Sequence, residues 1–477
     1  MLLKLTTYTT AIIGVTISVF ILIRQFLLSR NRDYCSFILK NLQSSSVTSV
    51  TRLLRGRTVI VTGANSGIGR SAALQLAKLG ARVVLACRNM DKANEARVEM
   101  IQEIKKELLV AQDAHDEHCD NSNQVTLNGT VGSSILGQNV ARPKIVEYQS
   151  VPDYPEIVVK RLDLSDLASV RSFAKGILAT EARCDILVNN GGLMHSKYSC
   201  TEQGHEKLFG TNHLGHFYLT LLLLPLLQRT AEANKKDHVP ESVDRNSERP
   251  QEIDEGLRQR STTDSSPLDS HPSEDKIVFK PEMEGENKST RDLGMEISNN
   301  TCSRIVVVAS AMHKYGKLDF DDINLTKGGY NYWKVYSASK LANILFTNEL
   351  AWRLKTGEGL EDYLPNPAQK NADSGCITVN SLHPGIVVTG MNRNIDTFDI
   401  GKWLFNKFGT IVFKNPYQGS QTTMYCALAP ELEGVSGKYF GDCEEHFSSP
   451  KSHDSKMAKL LWDYSMDCVR KFEKENS

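Results

Sequence analysis

The sequence predicts an α/β protein in which one doubly wound parallel sheet forms a single domain. Short apolar segments rich in β-branched residues alternate with helical segments, and a glycine-rich turn joins the first strand to the first helix. Strands that alternate with helices are typical of a parallel sheet whose two faces are both covered. The 477 residues would allow two or three domains, but the segments order into one βαβ series.

Six segments are predicted as strands because each is a short β-branched run. They cover residues 58–62, 81–86, 157–162, 186–190, 304–309 and 376–382. Three insertions interrupt the series, at about 110–155, 229–302 and 357–375. The second insertion holds one aromatic residue, Phe279, amid dense charges. It cannot bury enough apolar surface to offset its ordering entropy, so we expect a disordered surface loop.

The glycine-rich turn follows the strand at residues 58–62 and precedes a good helix at 71–77. A strand, a glycine turn and a helix in this order are the context of a dinucleotide-binding fingerprint in a Rossmann-type sheet. The glycines allow the backbone to approach a pyrophosphate at the helix N-terminus. The spacing is Gly-x3-Gly-x-Gly rather than the commoner Gly-x-Gly-x-x-Gly. The residues predicted to contact the cofactor here are Gly63, Asn65, Ser66, Gly67, Ile68 and Gly69.

The end of the second strand predicts which dinucleotide binds. An NAD enzyme usually places an acid there for the ribose hydroxyls, whereas this chain has Arg88 and Asn89. A guanidinium suits a 2′-phosphate, so we predict NADP(H), with both residues in the cofactor site. The alternative is that Arg88 is an ordinary surface charge. Asp91 is interpreted as the N-cap of the next helix.

Tyr336 and Lys340 are the predicted proton-transfer pair. Residues four apart on a helix share a face, so the ammonium can lie beside the phenol. A nearby cation favours the phenolate and lowers the phenol's pKa from its usual value of about 10. Such a pair can exchange a proton with a substrate oxygen near neutral pH. The same spacing arises by chance, and the upstream glycine turn is what gives it weight.

Together these residues make the chain resemble the short-chain dehydrogenase/reductase family, and within it the NADP-using retinol dehydrogenase branch. The resemblance covers most of residues 55–465 and includes longer matches at 340–347 and 425–431. The motifs that carry it are Thr62-Gly63-x3-Gly67-x-Gly69, Asp163-Leu164, Asn189-Asn190-Gly191-Gly192, Asn212-His213-Leu214-Gly215-His216-Phe217, Ser310, Tyr336-x3-Lys340 and Pro384-Gly385.

The resemblance implies a role for each catalytic residue. Tyr336 would be the acid/base, and Lys340 would be its pKa partner and would also bond the nicotinamide ribose. Ser310 would hold the substrate oxygen, and Asn212 would position a water in the proton relay. His213 and His216 are interpreted as packing residues. Hydride would move between the nicotinamide and the substrate carbon, so the hard chemistry belongs to the cofactor.

The resemblance also implies further cofactor contacts: the adenine lies at Asp163, the adenosine ribose at Asn190, and the nicotinamide end along the segment that starts at Pro384. The full set is Asp163, Leu164, Asn190, Gly191, Pro384, Gly385 and Thr389. Two positions depart from the family pattern. Gly191 stands where the family usually has Ala, and Ala309-Ser310 stands where it often has Ser-Ser.

Composition excludes several other classes of protein. Lys plus Arg and Asp plus Glu both number 56, so no nucleic-acid partner is expected. The ten cysteines lack paired spacing and suit a reducing compartment better than a disulfide scaffold. No cluster has the spacing of metal ligands, so no metal is expected. A monomer and a homo-oligomer both stay open.

The segment from Leu5 to Ile23 is uncharged and mostly apolar. Its 19 residues span roughly 28 Å as a helix, close to the thickness of a bilayer core. We therefore predict a membrane anchor at 1–29, a tether at 30–54 and a catalytic domain at 55–477. A cleaved signal peptide is the alternative, but no small-x-small site follows.

Charge around the anchor predicts its orientation. Arg24, Arg30 and Arg32 follow it, so the positive-inside rule keeps the catalytic domain in the cytosol. The endoplasmic reticulum is favoured over a mitochondrial membrane. Four glycosylation triplets would be silent in the cytosol; they begin at Asn128, Asn287, Asn299 and Asn324.

The predicted function is NADP(H)-dependent interconversion of a lipophilic alcohol and its aldehyde or ketone, with retinol and retinal favoured by the resemblance. One alternative is the same chemistry on a steroid or a fatty aldehyde. Another is a catalytically silent scaffold, which the complete set of catalytic residues argues against. The region 390–477 resembles the family's substrate lid, and residues 403–408 would contact a greasy substrate, the membrane or the core.

Overall fold

A computed structural model of the protein describes residues 53–124, 155–194, 197–237, 301–364, 376–387 and 414–476. The predictions for the N-terminal anchor and tether, for Thr389, for residues 403–408 and for most of the three insertions lie outside these residues. Among the helices of the described ranges, none combines the length and the apolar character that crossing a bilayer requires.

The described residues contain one eight-stranded sheet with the order β3-β2-β1-β4-β5-β6-β7-β8. All neighbouring strands are parallel except β7 and β8, which form an antiparallel hairpin. The strands are β1 Thr58–Thr62, β2 Arg82–Cys87, β3 Ile157–Arg161, β4 Ile186–Asn189, β5 Ser303–Val308, β6 Ile377–His383, β7 Tyr439–Gly441 and β8 Glu444–Glu445. The parallel sheet and its first six strands are confirmed, and the two short edge strands were missed.

Helices cover both faces of this sheet. The α-helices are α1 Gly67–Lys78, α2 Met90–Gln124, α3 Leu167–Thr180, α4 Lys207–Phe209, α5 Gly215–Asp237, α6 Tyr332–Thr356, α7 Pro416–Leu428 and α8 Ser455–Glu475. A π-helix, Gly210–Leu214, joins α4 to α5, and 3₁₀-helices lie at Ala311–Tyr315, Pro430–Leu432 and Pro450–His453.

The hydrophobic core has two halves, one on each face. Val59 and Val61 of β1 pack in the cluster with α1, α2 and α7, whereas Ile60 packs in the cluster with α3, α5, α6 and α8. Successive side chains of a strand point to opposite faces, so a strand covered on both sides must be apolar at every position. This is why the central residues of β1, β2 and β4 form short apolar runs in the sequence.

Helix α2 differs from the prediction at both ends. Asn89, not Asp91, caps it, because Asn89 Oδ1 accepts a hydrogen bond from Lys92 N at 2.9 Å. At its other end the helix continues to Gln124, into the stretch predicted as an insertion. Met100 and Ile104 are buried near its start. The polar residues beyond them carry no apolar periodicity, so the sequence pattern could not reveal the extension.

A disulfide links Cys302 and Cys376 at the beginning of β5 and β6, which corrects the expectation that the cysteines stay unpaired. The two residues are 74 positions apart, so spacing could not predict the pair. Glu433 holds the same corner, since its Oε1 accepts from Thr301 N at 2.8 Å and from Cys302 N at 2.7 Å. The disulfide therefore joins the ends of two insertions at the amino ends of the strands, whereas the predicted site lies at their carboxyl ends.

Candidate active site

The predicted site residues follow the carboxyl ends of several parallel strands. The glycine turn follows β1, Arg88 follows β2, and Asn190 follows β4. Ser310 comes two residues after β5, and Pro384 comes directly after β6. In parallel sheets these ends lie along one edge, where ligands of open α/β folds bind. The sheet thus brings together residues more than 300 positions apart.

The glycine turn needs glycine for two different reasons. Gly63 and Gly67 have φ of 65° and 58°, in the left-handed region that glycine enters without strain. Gly69 is required by space, because a Cβ there would lie 2.4 Å from Asn190 Nδ2 and 2.6 Å from the Gly63 carbonyl oxygen. The turn and the segment after β4 are therefore in close backbone contact.

The N-terminus of α1 is suited to an anion. Its N-cap residue, Ser66, makes no side-chain cap hydrogen bond, and the first turn contains no acidic residue. The amide groups of a first helical turn have no partner within the helix, and the helix dipole favours negative charge there. A phosphate could be held by these amides, as it is at other helix N-termini.

Arg88 lies beside this turn. It is exposed, and the backbone of Ala64 and Asn65 hydrogen-bonds the thiol of the preceding residue, Cys87. Burial raises the pKa of the Cys87 thiol to about 11, so it stays neutral. The backbone of Arg88 therefore lies next to the phosphate-binding turn, and its side chain faces solvent. Asn89 uses its side-chain oxygen to cap α2.

Asp163 and Leu164 form the next part of the edge. Asp163 Oδ1 accepts from Ser165 N at 2.9 Å and from Ser165 Oγ at 2.7 Å. Leu164 lies against Gly191, since a Cβ on Gly191 would lie 2.7 Å from Leu164 Cδ1. With this leucine rotamer an alanine at position 191 would clash.

Asn190 and Gly191 are tied to the end of β1 by Thr62. Thr62 Oγ1 accepts from Asn190 N at 2.9 Å and from Gly191 N at 2.8 Å. Asn190 Nδ2 in turn donates to the Thr62 carbonyl oxygen at 2.9 Å. The predicted ribose-binding segment thus has its backbone set by the strand that carries the glycine turn.

Tyr336 and Ser310 come together as predicted. Tyr336 lies one turn into α6 and is half-buried, and its phenol hydrogen-bonds the Ser310 side chain. Burial raises the pKa of Tyr336, and the hydrogen bond from Ser310 offsets this only in part. The phenol is therefore neutral at neutral pH. The expected lowering of this pKa by Lys340 is wrong, since the shift has the opposite direction.

Lys340 is buried and directed at the end of β5. Its Nζ donates to the Val308 carbonyl oxygen at 2.9 Å and lies 5.8 Å from the centre of the Tyr336 ring. Burial lowers the pKa of Lys340 to about 8. In this structure the ammonium thus supports the strand end that leads into Ser310.

Asn212 is fully buried in the π-helix. Its Oδ1 accepts from Leu193 N at 2.8 Å, and its Nδ2 donates to the Leu193 carbonyl oxygen and to Ser339 Oγ, both at 3.0 Å. Ser339 Oγ donates to the Tyr336 carbonyl oxygen at 2.8 Å. The Asn212 side chain therefore connects the segment after β4 to the helix that carries Tyr336.

His313 is a site residue that the sequence analysis missed. Its Nδ1 lies 2.7 Å from the Ser310 carbonyl oxygen, and its Nε2 accepts from Ser449 N at 3.0 Å. A carbonyl can only accept and an amide can only donate, so Nδ1 carries the proton. The neutral ring clamps the backbone of Ser310. A histidine three residues after the predicted serine was the available signal.

The remaining predicted residues have simpler outcomes. His213 packs in the core, with its Nε2 3.0 Å from Ser465 Oγ of α8. Pro384 and Gly385 follow β6, and Gly385 has φ of 81°, which favours glycine. Gly385 N donates to His383 Nδ1 at 3.2 Å.

A glycine turn at a helix N-terminus with a Ser–Tyr–Lys group on the same sheet edge is the arrangement of a dinucleotide-dependent dehydrogenase. A family model described as short chain dehydrogenase matches residues 57–126. Retinol dehydrogenase 14 of Mus musculus is 36% identical over 413 residues, which are 87% of this chain and 86% of that protein. Retinol dehydrogenase 11 of Homo sapiens is 32% identical over 90% of this chain and 91% of its own.

The protein therefore belongs to the short-chain dehydrogenase family, in its retinol dehydrogenase branch. As a member it is an oxidoreductase that acts on alcohols and carbonyls. Among solved structures, a short chain dehydrogenase from Shigella flexneri aligns with a TM-score of 0.40 and 16% identity, over 83% of this chain and 96% of that one.

Proposed function

We propose that the protein interconverts a lipophilic alcohol and its aldehyde or ketone with NADP(H), and that retinol and retinal are the favoured pair. The observation that carries the proposal is the hydrogen bond between the neutral phenol of Tyr336 and Ser310. It lies at the sheet edge that also holds the glycine turn. The retinoid substrate is supported by the names of the relatives, which are retinol dehydrogenases.

The glycine turn fits a dinucleotide. The space at Gly69, which a Cβ would fill, lets the backbone of α1 approach a pyrophosphate, and the uncapped first turn offers amide donors. Arg88 beside the turn suits a 2′-phosphate. Asp163 would hold the adenine, and Asn190 would hold the adenosine ribose. When bound, the nicotinamide ring supplies or accepts the hydride.

Tyr336 acts as the proton donor in the reducing direction. Because burial raises its pKa, the phenol carries its proton at neutral pH and can give it to a carbonyl oxygen that Ser310 holds. Oxidation of the alcohol requires the phenolate and is therefore favoured at higher pH. The proton balance of the site thus favours reduction of the carbonyl at neutral pH.

Lys340 and Asn212 support the proton transfer. Lys340 stays protonated below pH about 8, and its ammonium holds the Val308 carbonyl at the strand end that leads into Ser310. In our proposal Asn212, whose side chain is linked through Ser339 to the backbone of Tyr336, positions a water that returns the proton from solvent. In our proposal Pro384, Gly385 and Thr389 would hold the nicotinamide end of the cofactor.

The N-terminal segment places this chemistry at a membrane. We assign residues 5–23 as the anchor, with the catalytic domain in the cytosol and the endoplasmic reticulum as the favoured membrane. The uncharged apolar run and the three arginines after it support this assignment. Lipophilic carbonyls partition into bilayers, so the anchor would raise their concentration at the site.

A carbonyl panel tests the proposal. All-trans-retinal, decanal and a ketosteroid are each offered to the full-length protein with NADPH and with NADH, and initial rates are compared. We expect retinal with NADPH to give the highest rate. If retinal is untouched while another carbonyl is reduced rapidly, the retinoid substrate is wrong. If no carbonyl is reduced with either cofactor, the proposed activity is wrong.

A further inference from the structure

His216 joins the two halves of the site through its ring. It is the second residue of α5 and is 2% exposed. Its Nε2 lies 2.9 Å from Thr62 Oγ1, and its Nδ1 lies 3.1 Å from the Asn212 carbonyl oxygen. The predicted packing role accounts for the burial of His216 but not for this pair of polar contacts.

The partners of His216 determine the proton on its ring. The Asn212 carbonyl can only accept, so Nδ1 carries the hydrogen and Nε2 accepts from the Thr62 hydroxyl. Burial lowers the pKa of His216 to about 4, which keeps the ring neutral at neutral pH. Nδ1 as donor and Nε2 as acceptor is therefore a stable arrangement.

At the cofactor end, His216 fixes the direction of the Thr62 hydroxyl. Thr62 Oγ1 already accepts from Asn190 N and Gly191 N, which occupies both of its lone pairs. Its hydrogen is left to donate, either to His216 at 2.9 Å or to the Val188 carbonyl oxygen at the longer distance of 3.3 Å. The imidazole thus stabilises the contact of Thr62 with Asn190 and Gly191, directly before the glycine turn.

At the catalytic end, His216 fixes the backbone of the π-helix. In that helix the hydrogen bonds skip a residue, as Gly215 N donates to the Gly210 carbonyl oxygen five positions earlier. The Asn212 carbonyl oxygen accepts a hydrogen bond from the His216 side chain. The Asn212 side chain continues the connection through Ser339 to the backbone of Tyr336.

We propose that His216 is a positioning residue that sets the distance between the cofactor turn at Thr62 and the proton-transfer group at Asn212. It touches neither substrate nor cofactor and acts through these two residues. The proposal rests on the function proposed above, since it assumes that the turn binds a dinucleotide and that Asn212 serves the proton transfer. It assigns each ring nitrogen a separate task.

Two amide substitutions separate those tasks. The side-chain nitrogen of asparagine occupies the place of Nδ1, so His216→Asn keeps the donor to Asn212 and loses the contact with Thr62. Glutamine reaches the place of Nε2, so His216→Gln keeps the Thr62 contact and loses the donor to Asn212. NADPH affinity is measured by the fluorescence of the reduced cofactor, and kcat and KM for retinal are measured on the same samples.

The proposal predicts opposite patterns for the two variants. His216→Asn should raise the Kd of NADPH about tenfold with a smaller change in kcat, because a buried hydroxyl loses its acceptor. His216→Gln should lower kcat about tenfold and leave the Kd of NADPH near the wild-type value. Thr62→Val removes the hydroxyl and also leaves the Asn190 and Gly191 amides without an acceptor, so it should raise the Kd of NADPH at least as much as His216→Asn does. An unchanged Kd in Thr62→Val would overturn the Thr62 contact as part of the proposal even if an amide variant does not fold.

His213→Gln is the matched control. This histidine is also buried, lies three residues earlier, and bonds Ser465 of α8 rather than the site. It should lower the melting temperature and leave Kd and kcat of the folded protein unchanged. If the His216 and Thr62 variants behave like this control, the positioning role is wrong. If the wild-type protein binds NADPH but reduces no carbonyl, the proposed function is wrong. The Kd of NADPH for His216→Asn still tests whether His216 positions Thr62 at the cofactor turn.

Discussion

Gly69→Ala should weaken cofactor binding without unfolding the protein. The added Cβ would lie 2.4 Å from Asn190 Nδ2 and 2.6 Å from the Gly63 carbonyl oxygen, and the second of these atoms is backbone. Relief requires Asn190 to give up its hydrogen bond to the Thr62 carbonyl or the turn itself to open. Overpacking of this kind costs about 1–3 kcal/mol. Alanine in the first turn of a helix returns up to about 1 kcal/mol, so the net loss of stability is small.

The strain falls on the phosphate-binding turn, so it should appear mainly in affinity. If most of the overpacking energy is relieved by deforming the turn, cofactor binding loses that energy. The Kd of NADPH then rises about 10- to 100-fold, since about 1.4 kcal/mol corresponds to a factor of ten. The assay is a fluorescence titration with NADPH, accompanied by thermal melting. Gly176→Ala is the control, because a Cβ in the middle of α3 meets nothing within 4 Å and should raise the melting temperature without changing affinity. An unchanged Kd in Gly69→Ala would refute the close approach at this glycine.

Three further predictions concern charge and redox state. The pKa of Lys340 is about 8, below its value in the unfolded chain, so the ammonium loses its charge as the pH rises through 8. We expect kcat/KM for carbonyl reduction to fall over this pH range. The Lys340→Met variant should not show this fall. Because the pKa of Lys340 is lower in the folded protein than in the unfolded chain, the free energy of unfolding should rise with pH above 8, which urea unfolding would detect. Arg88→Ala should weaken NADPH far more than NADH, and an equal loss would show that Arg88 is only surface charge. Cys302→Ser should cost about 2–4 kcal/mol of unfolding free energy in non-reducing buffer and nothing under reductant, which checks the bond to Cys376.

The central part of the fold was predictable because its signals are local. β1, the glycine turn and α1 follow one another within about twenty residues, and each has its own pattern of β-branching, glycine or helix formers. The last two strands, β7 and β8, have three and two residues, too few for a periodic pattern. The disulfide was missed because it joins cysteines 74 positions apart, and the full length of α2 was missed because its later residues show no apolar periodicity.

The site was predictable in its residue types but not in its electrostatics. Ser310 and Tyr336 were assigned by motif, and the sheet brings them into hydrogen-bond contact. The direction of the Tyr336 pKa shift depends on burial, which a Tyr-x-x-x-Lys pattern does not encode. His313 was overlooked and His216 was interpreted as a packing residue, because each contacts the backbone carbonyl of another residue and such contacts exist only after folding.

Replacement of Tyr336 by phenylalanine is the most direct test of the central claim. The rate of retinal reduction with NADPH should fall at least about 100-fold, because the proton donor is gone, while NADPH still binds. Tyr332→Phe, one turn earlier on the same helix, should keep the wild-type rate. A Tyr336→Phe enzyme that turns over as fast as the wild type would contradict the assignment of the proton donor and with it the proposed chemistry.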